Sequence, residues 1–182
     1  MRRSGLLDLY EAFLRENRPQ DTRVPFSPVT ILLPNAPDKE SYVPDMCVID
    51  RAAVDTHSEW KFPADAVHLV VEVVSAGRES QVNDRLVKPG GYASGPVPLY
   101  LLIDPLRREV TLFSDPKNNA YQTSTKVKYG DEISFPEPFK GVLDTAIFDW
   151  WSCGQIPARA AMRSRWWVRS PKSRADVVAR LR

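Results

Sequence analysis

Cysteine and histidine are scarce in this sequence. Its 182 residues include two cysteines, Cys47 and Cys153, and two histidines, His57 and His68. The cysteines do not form a CxxC pair, and the histidines lack metal-ligand spacing, so we expect neither a disulfide framework nor a zinc site. We interpret both histidines as structural residues. A chain without a disulfide framework is typical of the reducing cytoplasm, so we expect a cytoplasmic protein.

Long apolar runs are also missing. No stretch approaches the roughly 20 apolar residues that a membrane helix needs. The opening residues, MRRSGLLDLYEAFLREN, have a basic start but include acidic residues and lack the apolar segment and cleavage site of a signal peptide. The GxSxG, P-loop and dinucleotide-binding patterns are absent too. We therefore expect neither a membrane span nor a signal peptide, and those common catalytic motifs cannot explain a function.

The charges that are present are unevenly placed. Residues 1–149 hold 17 Lys/Arg and 22 acids, a net charge of −5, while residues 150–182 hold eight Lys/Arg and one acid, a net charge of +7. With 43% hydrophobic residues, the chain is long enough for one domain with a sizeable core. We assign that domain to residues 1–149, and residues 150–182 to a C-terminal extension.

The extension is basic and contains four of the five tryptophans. One interpretation is a disordered or partly helical extension with no function of its own. The other is a basic arm that binds nucleic-acid phosphates and stacks tryptophan on bases. The candidate contacts for that arm are Arg163, Arg165, Trp166, Trp167 and Arg169.

Hydrophobic periodicity predicts alternating helices and strands. A helical stripe covers Leu6–Asn17. Strands are predicted over 29–34, 42–50, 66–75, 97–105, 108–115, 120–130, 132–137 and 141–148, with a polar loop over 51–63. A helix from about 78 to 88 should end or kink at Pro89 and the following glycine pair. A strand, a helix and a further apolar strand indicate a crossover, so the fold class is α/β with a mixed sheet.

One carboxylate stands inside an apolar strand. In the stretch HLVVEVVS, Glu72 is flanked by valines on both sides. Burying an ionised carboxylate costs several kcal/mol unless a cation pairs with it. An arginine or lysine would meet that need, as would a partly exposed strand edge. A divalent metal shared with a second carboxylate is the alternative, since Mg²⁺ is often held by one or two carboxylates and waters.

Two other residues complete a candidate constellation with this carboxylate. Asp45 begins a neighbouring predicted strand, and Lys88 lies in the predicted crossover helix. Taken alone, Asp45 is interpreted as a turn or strand-end residue, and Lys88 as a solvated helix residue. Asp104 precedes a proline and is interpreted as the cap of a turn. Asp84 is expected to support the helix or to bind a neighbouring cation.

Several short motifs taken together indicate a protein family more specifically than any single residue does. Y-V-P-D, E-V-V-S, D-R-L-V-K-P-G-G-Y-A and V-P-L-Y-L-L-I-D-P resemble the bacterial Uma-two family of restriction-endonuclease-like proteins, in the PD-(D/E)XK nuclease superfamily. The resemblance runs from about Val43 to Phe148. It implies a restriction-endonuclease-like core, with a central mixed β-sheet flanked by helices.

The resemblance also implies roles for individual residues. Asp45 and Glu72 match the two acidic metal ligands, and the backbone carbonyl of Val73 matches a further ligand. The usual motif has a lysine where this chain has Val74. The family supplies the lysine from the following helix, and Lys88 matches that position.

The implied activity is hydrolysis of DNA phosphodiester bonds by a Mg²⁺- or Mn²⁺-dependent endonuclease. In that activity Asp84 is a supporting residue, DNA is the partner, and a homodimer is allowed because many such nucleases dimerise to cut both strands. Family members usually begin with a further strand pair and helix, so the N-terminus is expected to be truncated. Two alternatives stay open: a catalytically impaired binding or assembly module, and a hydrolase of RNA or another phosphoester.

Overall fold

The protein is described from a computed structural model over residues 2–25, 28–33, 41–56 and 60–152. His57 and the proposed nucleic-acid contacts of the C-terminal extension lie outside these residues. None of the described helices is both long and apolar enough to cross a membrane.

A six-stranded sheet organises the molecule, in the order β1-β4-β6-β7-β8-β9. The strands of the protein are β1 Thr22–Arg23, β2 Thr30–Leu32, β3 Ser41–Tyr42, β4 Met46–Asp50, β5 Lys61–Pro63, β6 Val67–Val73, β7 Leu99–Asp104, β8 Glu109–Lys117, β9 Ala120–Lys128, β10 Glu132–Ser134 and β11 Val142–Asp144. The pair β6–β7 is parallel, and the sheet's other pairs are antiparallel. The predicted mixed sheet with a crossover is therefore confirmed.

Helices cover both faces of this sheet. They are α1 Arg2–Leu9, a π-helical segment Tyr10–Leu14, α2 Arg15–Asn17, α3 Arg51–Thr56, α4 Arg78–Val82, a second π-helical segment Asn83–Val87 and α5 Lys88–Ser94, with 3-10 turns at Ala64–Ala66 and Thr145–Ser152. The predicted N-terminal helix is confirmed. Its residues Leu9 and Phe13 are buried with Val71 on one face of the sheet, while Val70, Tyr92 and Tyr100 form the core on the other.

The strand predicted over 42–50 is two strands. Tyr42 pairs with Ile31 of β2 in a separate three-stranded sheet, whereas β4 pairs with β6. Pro44, which has no amide hydrogen to donate to a ladder, lies in the gap between them. The break leaves Asp45 immediately before β4, at the end of a strand.

Two other predictions about elements were wrong. The segment 51–63 contains α3 and β5, because its alanines favour a helix and the side chain of Phe62 is fully buried. The strand predicted over 141–148 ends at Asp144, and a 3-10 turn follows. The strand β10 pairs with β11 in a small sheet of their own, outside the β7–β8–β9 meander.

The crossover helix does not end at Pro89. It continues through the glycine pair to Ser94. Proline would clash with the carbonyl four residues earlier in a regular α-helix and leave it without a partner. Here the π-helical segment Asn83–Val87 precedes the proline. Its wider turn changes which carbonyl lies opposite the proline ring. The helix therefore carries both Lys88 and Tyr92 across the sheet.

Candidate active site

Glu72 lies in β6, one residue before the strand ends, at the centre of the sheet. It pairs with Leu102 of β7, and its side chain faces the crossover helix together with those of Val70 and Tyr100. Only 2% of the residue is exposed. Because β6 lies between β4 and β7, the partly exposed strand edge considered from the sequence does not apply, and the carboxylate needs partners inside the protein.

Lys88 supplies the compensating positive charge. Its Nζ lies 2.9 Å from Oε2 of Glu72 and 2.8 Å from Oδ1 of Asp84. Asp84 and Lys88 are four residues apart in the crossover helix, so both side chains project from the same face. The helix therefore brings a lysine to the glutamate of the strand. Position 74, where the usual motif has its lysine, is occupied by Val74, which is buried in the apolar core.

Asp45 is placed beside Glu72 by strand pairing. Met46 of β4 pairs with Val71 of β6, so the residue before Met46 lies next to the end of β6. There the backbone N–H of Val73 donates a hydrogen bond of 2.8 Å to Oδ2 of Asp45. This contact fixes one oxygen of the Asp45 carboxylate against the backbone that follows Glu72.

Tyr92 is a member of the site that the sequence analysis missed. Its hydroxyl donates a hydrogen bond of 3.0 Å to Oε1 of Glu72, and its ring is fully buried against Tyr42 and Tyr100. The hydroxyl of Tyr100 in turn donates to the backbone carbonyl of Asp84, at 2.7 Å. Sequence reasoning missed this tyrosine because the Pro-Gly-Gly sequence predicted that the helix would end before Tyr92.

Burial dominates the electrostatics of the glutamate. It raises the pKa of Glu72 to about 7, opposed by the neighbouring Lys88, while Asp45 and Asp84 raise it further. Burial acts to lower the pKa of Lys88, but Glu72 and Asp84 outweigh it and the net shift is upward. Burial and the adjacent Glu72 hold the pKa of Tyr92 well above its usual range, so its hydroxyl stays protonated as a donor.

The donors at this site fit a magnesium ion. Asp45 and Glu72 offer carboxylate oxygens at the ends of adjacent strands, and Mg²⁺ commonly takes one or two carboxylates and completes its shell with water. The described residues contain no group of three or more His, Cys, Asp or Glu side chains that could hold a metal ion. Metal binding by Asp45, Glu72 and the Val73 carbonyl therefore stays a prediction.

The other residues considered in the sequence have structural contacts. Asp104 accepts hydrogen bonds from the backbone N–H groups of Leu106 and Arg107, as a turn cap does. It also accepts a bond of 2.9 Å from Nε of Arg85. Nε2 of His68 lies 2.6 Å from a carboxylate oxygen of Asp50.

Comparison with known proteins agrees with this fold. A family model described as "Uma2: Putative restriction endonuclease" matches residues 4–147. A crystal structure described as that of "a putative nuclease belonging to DUF820" from Anabaena variabilis ATCC 29413 is similar in fold, with a TM-score of 0.52, 16% sequence identity and coverage of 82% of this chain and 79% of that one. No protein with a curated description matches the sequence.

Proposed function

Because the chain belongs to the Uma2 family, the Uma-two family of the sequence resemblance, we propose that it is a metal-dependent endonuclease that hydrolyses DNA phosphodiester bonds. One observation carries the proposal. A carboxylate that is only 2% exposed lies beside a second carboxylate and a lysine, which come from three different elements of the fold. Strongly perturbed ionisable groups of this kind concentrate at functional sites.

Each side chain has a defined task in this proposal. Asp45 and Glu72 hold the divalent ion, and the Val73 carbonyl is a further ligand. When bound, Mg²⁺ or Mn²⁺ supplies charge neutralisation at the phosphate and lowers the pKa of bound water. Asp45 is oriented by the backbone N–H of Val73, so its carboxylate does not have to reorganise.

Lys88 is the proposed cationic group of the reaction. Its ammonium already lies at hydrogen-bond distance from the Glu72 carboxylate, and it is 20% exposed. From that position it can donate to the attacking water or to a phosphate oxygen on which negative charge develops. Asp84, its second partner, holds the ammonium on the side of the helix that faces the strand.

A plasmid-nicking assay tests the proposal. The full-length protein should convert supercoiled plasmid to nicked or linear DNA with Mg²⁺ or Mn²⁺, and Asp45→Ala should remove that activity. Asp115→Ala, which changes an exposed carboxylate at a distance from the site, should leave it unchanged. Equal and negligible cleavage by the wild type and Asp45→Ala with every metal tried would refute the catalytic role.

A binding or assembly module is the second candidate function. It is favoured by the contacts of Lys88, whose ammonium is already shared by two buried carboxylates as in a structural ion pair. Calorimetry with Mg²⁺ separates the two. Heat of binding that Asp45→Ala abolishes supports the metal site, whereas no binding at millimolar Mg²⁺ supports the module. A parallel assay with RNA of the same sequence tests the phosphoester alternative.

A further inference from the structure

A groove opens beside the candidate site, on the same face of the sheet. It has a volume of about 450 Å³ and lies between one flank of the crossover helix and the strands β7, β8 and β9. The same helix carries Lys88, whose ammonium contacts Glu72. The groove and the candidate site therefore share one helix as a wall.

Strand register connects the two regions directly. Glu72 pairs with Leu102, Leu102 with Thr111, and Thr111 with Lys126. Paired residues face the same side of a sheet, so these four side chains form one row across β6 to β9. Three strand spacings of about 4.8 Å separate its ends, roughly 14 Å in total. The row begins at the buried glutamate and ends at a lysine side chain that is 56% exposed.

The groove is lined by an excess of positive charge, although the domain of residues 1–149 is acidic overall. Its lining includes four cations and two carboxylates, which are Arg78, Arg85, Arg107, Lys126, Asp104 and Glu109. Residues 1–149 as a whole have a net charge of −5. Asp104 lies 2.8 Å from Arg85 and 3.9 Å from Arg107, and Glu109 lies 3.8 Å from Lys126 and 2.8 Å from Lys128, which is outside the lining. Four cations and two carboxylates leave the lining with a net charge of +2. The groove therefore favours a polyanion.

Apolar surface accompanies the charge. Phe113 lines the floor, and its ring packs against those of Tyr100 and Tyr121. Leu86 lines the helical wall and is 74% exposed. Grooves that combine cations along a backbone path with aromatic faces are the ones that bind single-stranded nucleic acid, because bases stack there while phosphates are neutralised. The volume is that of a small-molecule site, which admits nucleotides of one strand rather than a paired duplex.

We propose that this groove binds single-stranded DNA, so that the nuclease acts on a strand that is unpaired next to the cleavage site. The proposal rests on the proposed function for the reaction itself. Arg107 and Lys126 contact phosphates, and Phe113 provides a stacking face for a base. Lys126, the exposed end of the row of paired residues, places the bound strand beside the candidate site.

Binding without cleavage tests the groove. Full-length protein carrying Asp45→Ala, without divalent ions, is titrated with a fluorescent oligothymidylate over a series of salt concentrations. Arg107→Ser and Lys126→Ser are added separately; both side chains are more than half exposed, so folding should tolerate them. Each should weaken binding several-fold and reduce the slope of log affinity against log salt by about 0.7, the value for one single-strand phosphate contact.

Arg51→Ser is the matched control. It removes one exposed arginine after β4, at the end of that strand away from Asp45, and should leave the affinity unchanged. A thymidine–adenine duplex should bind equally to the parent and the groove variants. Equal losses for Arg51→Ser and the groove variants, unchanged salt slopes, or the same losses with duplex would overturn the proposal. If the parent protein does not bind oligothymidylate but the wild type nicks plasmid, the groove proposal alone is rejected. If the groove binds oligothymidylate but the wild type with Mg²⁺ or Mn²⁺ cleaves neither plasmid nor an unpaired oligonucleotide, the nuclease proposal alone is rejected.

Discussion

The Lys88 ammonium lies 2.9 Å from the Glu72 carboxylate, although one residue belongs to a central strand and the other to the helix that crosses over it. The pair explains how a carboxylate can be tolerated in an otherwise apolar strand. A buried charge is costly to leave alone, and a nearby opposite charge offsets that cost. The same pair places a lysine beside a candidate metal ligand, so stability and the proposed chemistry depend on one contact.

Replacement of Tyr92 by phenylalanine tests the third partner of this carboxylate. The substitution keeps the buried ring and removes the hydroxyl that donates to Oε1 of Glu72. Above the pKa of about 7 the Glu72 carboxylate is ionised. Because hydrogen bonds to charged groups contribute about 1.5–3 kcal/mol, we expect a loss of that size in the free energy of unfolding, measured by urea denaturation at a pH of about 8.5. Tyr121→Phe removes a hydroxyl that donates to a neutral carbonyl, that of Val97, and should cost only about 1 kcal/mol. A Tyr92→Phe protein as stable as the wild type would contradict the assigned hydrogen bond.

The Arg85–Asp104 pair should anchor the crossover helix to the end of β7. Arg85 donates to the same carboxylate oxygen of Asp104 through Nε and Nη2, at 2.9 and 2.8 Å, and Asp104 is 4% exposed. Arg85→Ala leaves that carboxylate buried with its main partner removed, so we expect a loss of about 3–5 kcal/mol in unfolding free energy.

The exposed pair Arg15–Glu11 is the control for this prediction. Both side chains are more than half exposed, so Arg15→Ala should cost no more than about 0.5 kcal/mol in the same urea experiment. Similar losses for Arg85→Ala and Arg15→Ala would show that the buried pair does not anchor the helix.

The two glycines after Pro89 should respond oppositely to alanine. A Cβ at Gly91 would lie 2.5 Å from the ring of Tyr42, whereas a Cβ at Gly90 has ordinary contact, its nearest neighbour being the Asn119 carbonyl oxygen at 3.8 Å. Gly90→Ala should raise the unfolding free energy by about 0.5–1 kcal/mol, because alanine costs less entropy in a helix. Gly91→Ala should lower the melting temperature by displacing Tyr42. Equal effects of the two variants would contradict this close approach.

Thiol labelling should report on the opening of the core. Cys47 is buried, and burial raises its pKa to about 12. The thiolate is the reactive form, so at pH 8 only about one thiol in ten thousand would be ionised. In a Cys153→Ser background, we expect very slow labelling of the native protein and rapid labelling in denaturant. Labelling requires the core to open, and the opened thiol has the ordinary pKa of about 8.5, so the native rate should rise about tenfold for each pH unit only below about pH 8. Fast labelling at pH 7 would show that Cys47 is accessible.

Local patterns predicted most of the elements. Apolar runs located β6 and β7, and the spacing of apolar residues located the N-terminal helix, because side-chain alternation and helical periodicity are properties of neighbouring residues. Two of the exceptions share one cause. Tyr42 and Phe62 belong to a small sheet that depends on pairing between distant segments, and patterns of neighbouring residues do not predict such pairing.

The sequence by itself determined that Glu72 lies between apolar neighbours in a strand, where it needs either a cationic partner or a partly exposed edge. It also indicated Asp45 and Lys88 as partners, through the resemblance of their motifs to a nuclease family. Only the tertiary structure decided that the helix continues past Pro89, and that Tyr92 therefore reaches the same carboxylate. Burial follows from local composition, whereas the partner of a buried group depends on how separate elements pack.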